Sequence, residues 1–170
     1  MTGLNSPPSS PHSIGREKAF SWLLTAAWAT LIFFLSTQTF TVGFTEWLLR
    51  EILQLAHIRV SGHTFYLLHH LVRKSAHATE YAIFFAFIYH SLSPDGTFRW
   101  RRREGVESLL LAAAYSLTDE FHQIFVPGRT ASLVDSGIDT AGAALALALI
   151  YMAHRLNRTK PGAEPADEPA

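Results

Sequence analysis

Between Tyr115 and Leu145 the chain reads YSLTDEFHQIFVPGRTASLVDSGIDTAGAAL, placing Asp119, Glu120, His122, Arg129, Asp135 and Asp139 between two strongly apolar runs. An earlier segment, RKSAHATEYAIFFA, adds Lys74, His77, Glu80 and Tyr81. Lys and Arg hold phosphate or carboxylate, Arg through a planar bidentate fork. Carboxylates orient such cations and accept hydrogen bonds from hydroxyls or amines. His77, Glu80, Asp119, His122, Asp135 and Asp139 are also the types that gather round a divalent cation, or supply an acid/base carboxylate pair. The sequence has neither a His-rich metal motif nor a nucleophile elbow. No residue is therefore assigned as catalytic, no metal site is assigned and no cofactor is expected.

Helical spacing sorts these groups into stripes. Lys74, His77 and Tyr81 follow i, i+3, i+7, with Glu80 beside them. Asp119 and Gln123 are i, i+4, flanked by Glu120, while Asp135, Asp139 and Gly142 are i, i+4, i+7. Each stripe can face the interior of a bundle while apolar residues face outward. His122 falls off the Gln123 stripe. His69, His70, His90 and His154 sit near helix ends and are expected to be interfacial or solvated.

The elements that must carry these stripes are read from composition. The chain has 170 residues, 48% of them hydrophobic and 16% charged, with zero formal net charge and no cysteine. That is too apolar for disorder, and its basic residues are too scattered for nucleic-acid binding. Without cysteine there is no disulfide and no zinc-thiolate site. Residues 1–17 and 157–170 are Pro-rich and expected to be disordered tails flanking a transmembrane domain at 18–156. The first apolar run is too long for a cleaved signal peptide and is read as retained.

The expected fold is all-α, a polytopic membrane protein with four transmembrane helices and one interfacial amphipathic helix. From Ala19 to Thr45 there is no charged residue, and AFSWLLTAAWATLIFFL supplies the first crossing. FTEWLLREILQLAH sets Phe44, Trp47, Leu48, Ile52 and Leu55 against Glu46, Arg50, Glu51 and Gln54, which suits a helix lying in the interface. The other three crossings reach spanning length only by absorbing charge: the second extends from AIFFAFIYHSL back to Lys74, the third includes Asp119 and Glu120, and the fourth Asp135 and Asp139. Pro127-Gly128 marks the turn between the last two. With both termini in the cytoplasm, nine of the fourteen Lys and Arg residues fall on the cytoplasmic side, including the run RWRRR at 99–103. Counted from the cytoplasmic helix ends, Glu80, Asp119 and Asp139 then lie roughly 22–24 Å above the inner boundary, one layer near the outer edge of the hydrocarbon.

A structural reading stands beside this one. Lys74 and Arg129 can simply neutralise buried carboxylates, and a half-buried ionic network is by itself poor evidence of function. RWRRR serves as a topology signal and a contact for anionic lipid heads, and AGAALALAL as a small-residue packing face.

RKSAHATEYAIFFA and TDEFHQIFVPGRTASLVDSGIDTAGA together resemble the VanZ-like family, small bacterial integral membrane proteins named for a member linked to teicoplanin resistance. The first matches its Lys-x-x-His-x-x-x-Tyr segment, the second its Asp-Glu-x-x-Gln-x-x-x-Pro-Gly-Arg signature, across roughly Ser21 to Tyr151. The resemblance implies roles for Lys74, His77 and Tyr81, for Asp119, Glu120 and Gln123, for Pro127, Gly128 and Arg129, and for Asp135 and Gly142. It departs at Asp139, where members often have Asn, so the site here is more negative.

The ligand-binding set expected is therefore Lys74, His77, Tyr81, Asp119, Glu120, Gln123, Arg129, Asp135 and Asp139. The expected function is engagement of a cell-envelope lipid head group or a lipoglycopeptide by an outward polar pocket, with a contribution to glycopeptide resistance. Lys74 and Arg129 would contact the anion. The alternative is a membrane-embedded enzyme acting on a lipid-linked phosphate or envelope precursor. A transporter is disfavoured by the small number of crossings and the lack of an interrupted helix pair, although a homo-oligomer would ease that objection. Expected partners are membrane lipids, a lipid-linked envelope precursor or a lipoglycopeptide, and not nucleic acid. The expected location is the bacterial inner membrane.

Overall fold

A computed structural model of the chain describes residues 11–36, 38–126 and 131–158. Among these the secondary structure is five α-helices and no strand: α1 (Pro11–Ser36), α2 (Gln38–Leu55), α3 (Gly62–Leu92), α4 (Arg102–Gln123) and α5 (Leu133–Arg158). The helix bounds differ from the sequence reading in several places. α1 begins at Pro11, inside the segment expected to be tail. The uncharged stretch from Ala19 to Thr45 is divided between α1 and α2, so the amphipathic helix starts before Phe44. α3 starts twelve residues ahead of Lys74, at a Ser61 cap whose hydroxyl accepts from the Thr64 amide at 3.2 Å.

By length and composition two helical stretches can cross a membrane, Gly15–Ser36 with mean hydropathy 1.7 and Leu133–Arg158 with mean hydropathy 1.6. α3 and α4 also have the length, 31 and 22 residues, but their ionisable residues lower their hydropathy.

α3 is the centre of the bundle. It packs against each of the other four helices, most extensively against α5. Its buried Tyr81, Phe84, Phe85, Ile88 and Tyr89 meet Ile32 of α1, Ala112 of α4 and Ala143 of α5. α3 and α5 approach at backbone distance where Gly142 faces Ala78. A Cβ at Gly142 would overlap the Ala78 carbonyl oxygen and lie 2.7 Å from its carbonyl carbon. A small residue is what such a crossing requires.

The polarity of the molecule is inverted relative to a water-soluble bundle. Ser21, Thr25, Ser36, Ser108, Ser116, Asp119, Glu120, Gln123, Ser136 and Asp139 are buried, while Phe20, Leu23, Phe34, Leu110, Phe121, Leu145, Leu149 and Leu156 are exposed. Interhelical hydrogen bonds replace much of the apolar core. Ser116 and Ser136 hydroxyls meet at 2.6 Å between α4 and α5, Tyr115 donates to the Ala29 carbonyl at 2.6 Å, and Trp28 donates to the Glu80 carbonyl at 3.0 Å. Polar side chains turned inward and large apolar ones turned outward are the arrangement lipid favours.

At the opposite end from the start of α3, Gly96 takes φ +61° in the turn before α4. Asp95 receives the Thr97 hydroxyl at 2.9 Å and Arg101 at 3.0 Å, and these bonds, Thr97 first, hold its carboxyl below the usual carboxylate range. The same end holds a cluster in which Ser21 Oγ lies 2.9 Å from His90 Nδ1 and 2.6 Å from Ser91 Oγ. His90 is thus tied to α1 rather than solvated.

Candidate functional site

The first half of α3, the end of α4 and the start of α5 meet at one end of the bundle, and the ionisable stripes meet there with them. They line a cavity of about 90 Å³ whose walls are His70, Arg73, Lys74 and His77 from α3, Glu120 and Gln123 from α4, and Asp135, Ile138 and Asp139 from α5. That is room for a few water molecules, or for the polar part of a larger molecule, since one water needs at least about 10–15 Å³.

One wall is basic and the other acidic; one ion pair joins them, and a backbone contact closes the acidic side. Lys74 Nζ donates to Asp135 Oδ1 at 3.0 Å, joining α3 to α5. The two side chains are 31% and 45% exposed, so water screens the pair and its contribution to stability stays below about 1 kcal/mol. Glu120 Oε2 accepts the Ser132 amide at 2.6 Å and fixes the chain entering α5. Ser132 also serves as a cap, its carbonyl and hydroxyl oxygens accepting from the Asp135 amide at 2.9 and 3.4 Å. His77 Nδ1 lies 3.5 Å from Glu80 Oε2, long for a hydrogen bond.

Directly beneath lies a second polar layer. Asp119 Oδ1 accepts from Ser36 Oγ of α1 at 2.7 Å, and Gln123 Nε2 lies 3.4 Å from Asp119 Oδ2. Tyr81 is fully buried, its hydroxyl has no hydrogen-bond partner among the described residues, and Asp119, Asp139 and Glu80 lie within its electrostatic reach. Asp139 is 3% exposed, faces the cavity, and makes no hydrogen bond or ion pair with any described residue.

Of the residues expected in the site, Lys74, His77, Glu120, Gln123, Asp135 and Asp139 line the cavity together. Asp119 and Tyr81 sit under it. Arg129, with Pro127 and Gly128, lies outside the described residues. His122 is turned from the cavity, its ring packed on Phe33 with centroids 4.3 Å apart. Among the described residues no three His, Asp or Glu side chains stand where they could share a metal ion, so the gathering of six such groups considered for the enzyme alternative is not assembled. Three contributors were missed in the sequence. His70, expected to be interfacial or solvated, and Arg73 line the cavity; His70 lies one helical turn back from Lys74 and Arg73 one turn back from His77. Ser36, buried against Asp119, has no local signature.

An inverted bundle with two helices apolar enough to span suits a membrane protein with a polar interior. The particular kind follows from comparison: the VanZ/LLP1 family profile matches residues 20–154, and the chain belongs to that family. No curated protein and no solved structure matches it.

Proposed function

We propose that this VanZ/LLP1 family member crosses the bacterial inner membrane four times with both termini in the cytoplasm, and that its cavity engages the head group of a cell-envelope lipid or a lipoglycopeptide from the outer side. A link to glycopeptide resistance is part of the same proposal. The observation that carries it is the convergence of Arg73, Lys74 and His77 with Glu120, Asp135 and Asp139 around one cavity at one end of the bundle. Intramembrane ionisable residues are costly and mark binding sites or pathways.

Depth supports the reading. Residues 70–77 of α3 lie fifteen to twenty-two residues from its end at Leu92, about 22–33 Å along the axis, against a hydrocarbon core about 30 Å thick. That level runs from the outer edge of the hydrocarbon to the head groups. Arg99, Arg101, Arg102 and Arg103 stand at the opposite end of α3 and α4, where the bias of basic residues toward the cytoplasm puts them. In this reading α3 and α4 are crossings whose charges face inward, and α2 lies in the outer interface. Lys74 contacts the anion, and the motif assigns Arg129 to the same task.

The test separates ligand contact from helix gluing. Lys74→Met with Asp135→Leu removes a half-exposed pair together, so neither charge is stranded and the fold should survive. Melting temperature and membrane abundance are expected to stay near wild type, while co-purifying lipid and protection against lipoglycopeptides are lost. Full function in a stable double variant refutes the proposal.

A further inference from the structure

The cavity's charged side chains are not equally engaged. Lys74 and Asp135 hold one another, and Glu120 holds the Ser132 amide. Asp139 is more than nine-tenths buried, points into the cavity and has no donor among the described residues. A carboxylate in that position is expensive unless something arrives to pair with it. Gln123 stands beside it on the same wall with its amide nitrogen turned toward Asp119, which leaves its carbonyl oxygen as a second acceptor. Across the cavity, α3 presents the cationic groups of Arg73 and Lys74.

We infer that the cavity selects a lipid whose head group is a phosphate bearing a primary ammonium, an ethanolamine phosphate, with Asp139 as the acceptor of the ammonium. This rests on the reading of the cavity as a head-group site and specifies its chemistry. An ammonium brings one positive charge and three N–H donors, which the Asp139 carboxylate and the Gln123 carbonyl oxygen can take. The phosphate meets Arg73 and Lys74 on the opposite wall. A head group without a cation would leave Asp139 unpaired. A trimethylammonium has no N–H to give and is recognised instead by aromatic faces, yet among the described residues no Phe, Tyr or Trp side chain lines the cavity. Zwitterionic charge alone therefore does not define the ligand, and the N–H groups do.

The full chain in detergent, mixed with equal amounts of phosphatidylethanolamine, its N-methyl and N,N-dimethyl derivatives, phosphatidylcholine and phosphatidylglycerol, can be read by native mass spectrometry for the lipid it retains. Retention is expected to fall with each N–H replaced, phosphatidylethanolamine exceeding phosphatidylcholine by about tenfold, the scale of a lost charged hydrogen bond. Asp139→Asn keeps the shape and removes the charge, and should shrink that preference to within about twofold. The methylation series on the unaltered chain decides the matter even if Asp139→Asn does not fold. Equal retention of all the amine head groups, with Lys74→Met still lowering it, overturns the ammonium assignment and leaves the head-group site standing. Equal retention that Lys74→Met does not change overturns the site itself.

Discussion

Gly142→Ala adds one methyl group at the closest approach of the two helices that share the largest interface. The new Cβ would sit 2.7 Å from the Ala78 carbonyl carbon and 2.8 Å from its Cα, and would overlap the carbonyl oxygen outright. These are backbone atoms that cannot rotate aside. Carbon contacts are favourable at about 3.5–4.0 Å, so α3 and α5 must part by about 0.8 Å or more at this level. Overpacking of this kind costs about 1–3 kcal/mol where side chains can adjust, and a clash with main chain belongs at the upper end or above. The separation also reaches the site, because Asp139 precedes Gly142 by one turn and Lys74 precedes Ala78 by one turn, so both cavity walls move with the crossing.

The same helix contains its own control. A Cβ at Gly137 would meet nothing within 4 Å. Gly137→Ala should be neutral or stabilise by up to about 1 kcal/mol through helix propensity. Thermal or denaturant unfolding of the two variants in one detergent measures both, and opposite signs are expected. Gly142→Ala within about 0.5 kcal/mol of the unaltered chain, the range of an ordinary surface change, would refute the close packing of α3 on α5.

Two further outcomes follow from the same contacts. Ser36→Ala removes the 2.7 Å donor to the buried Asp119 and should destabilise by about 1–3 kcal/mol, whereas Ser36→Thr, which keeps a hydroxyl, should lose less; unfolding in detergent reads both, and an unchanged Ser36→Ala would remove Asp119 from the network. For the orientation, single cysteines in this cysteine-free chain should react with an impermeant thiol reagent in intact cells at Ser61→Cys and not at Thr97→Cys, and the reverse pattern would put the cavity on the cytoplasmic side.

The stripes were legible in the sequence because helix geometry is local. Spacings of three and four residues bring Lys74 and His77, Asp119 and Gln123, and Asp135 and Asp139 to common faces before any tertiary contact is known, although in α4 it is the flanking Glu120, with Gln123, that reaches the cavity. The small-residue run after Asp139 likewise announced close packing. What the pattern could not supply was the partner across each contact. Nothing near Ser36 points to Asp119, eighty-three residues away, and nothing near Ala78 announces that Gly142 covers its carbonyl. The beginning of α3 was missed for a different reason. The expected crossing was measured by hydrophobic length and stopped at Lys74, while the helix continues to the Ser61 cap and brings His70 and Arg73 into the cavity wall. Helix bounds follow capping chemistry, and bilayer thickness does not set them.

Gluing helices together accounts for one of the two polar layers better than for the other. Asp119 has its donors from Ser36 and Gln123, the Ser116–Ser136 contact is closed, and Tyr115 and Trp28 donate to the carbonyls of Ala29 and Glu80. Each of these groups is spent on a neighbour, as interhelical hydrogen bonds in a membrane require. Had the upper layer only the same task, Asp139 could be replaced by a small or neutral residue at a gain, because a buried carboxylate without a donor opposes folding. It stands instead at the edge of a cavity, one turn along from Asp135, which is paired. The fold gives Asp119 two donors and Asp139 none among the described residues, the difference expected if the proposed head-group site uses Asp139 and not Asp119. Opposite responses are expected in the absence of lipid: Asp139→Asn should raise the melting temperature of the delipidated protein, while Asp119→Asn should lower it. If both replacements lower it alike, Asp139 belongs to the scaffold with Asp119.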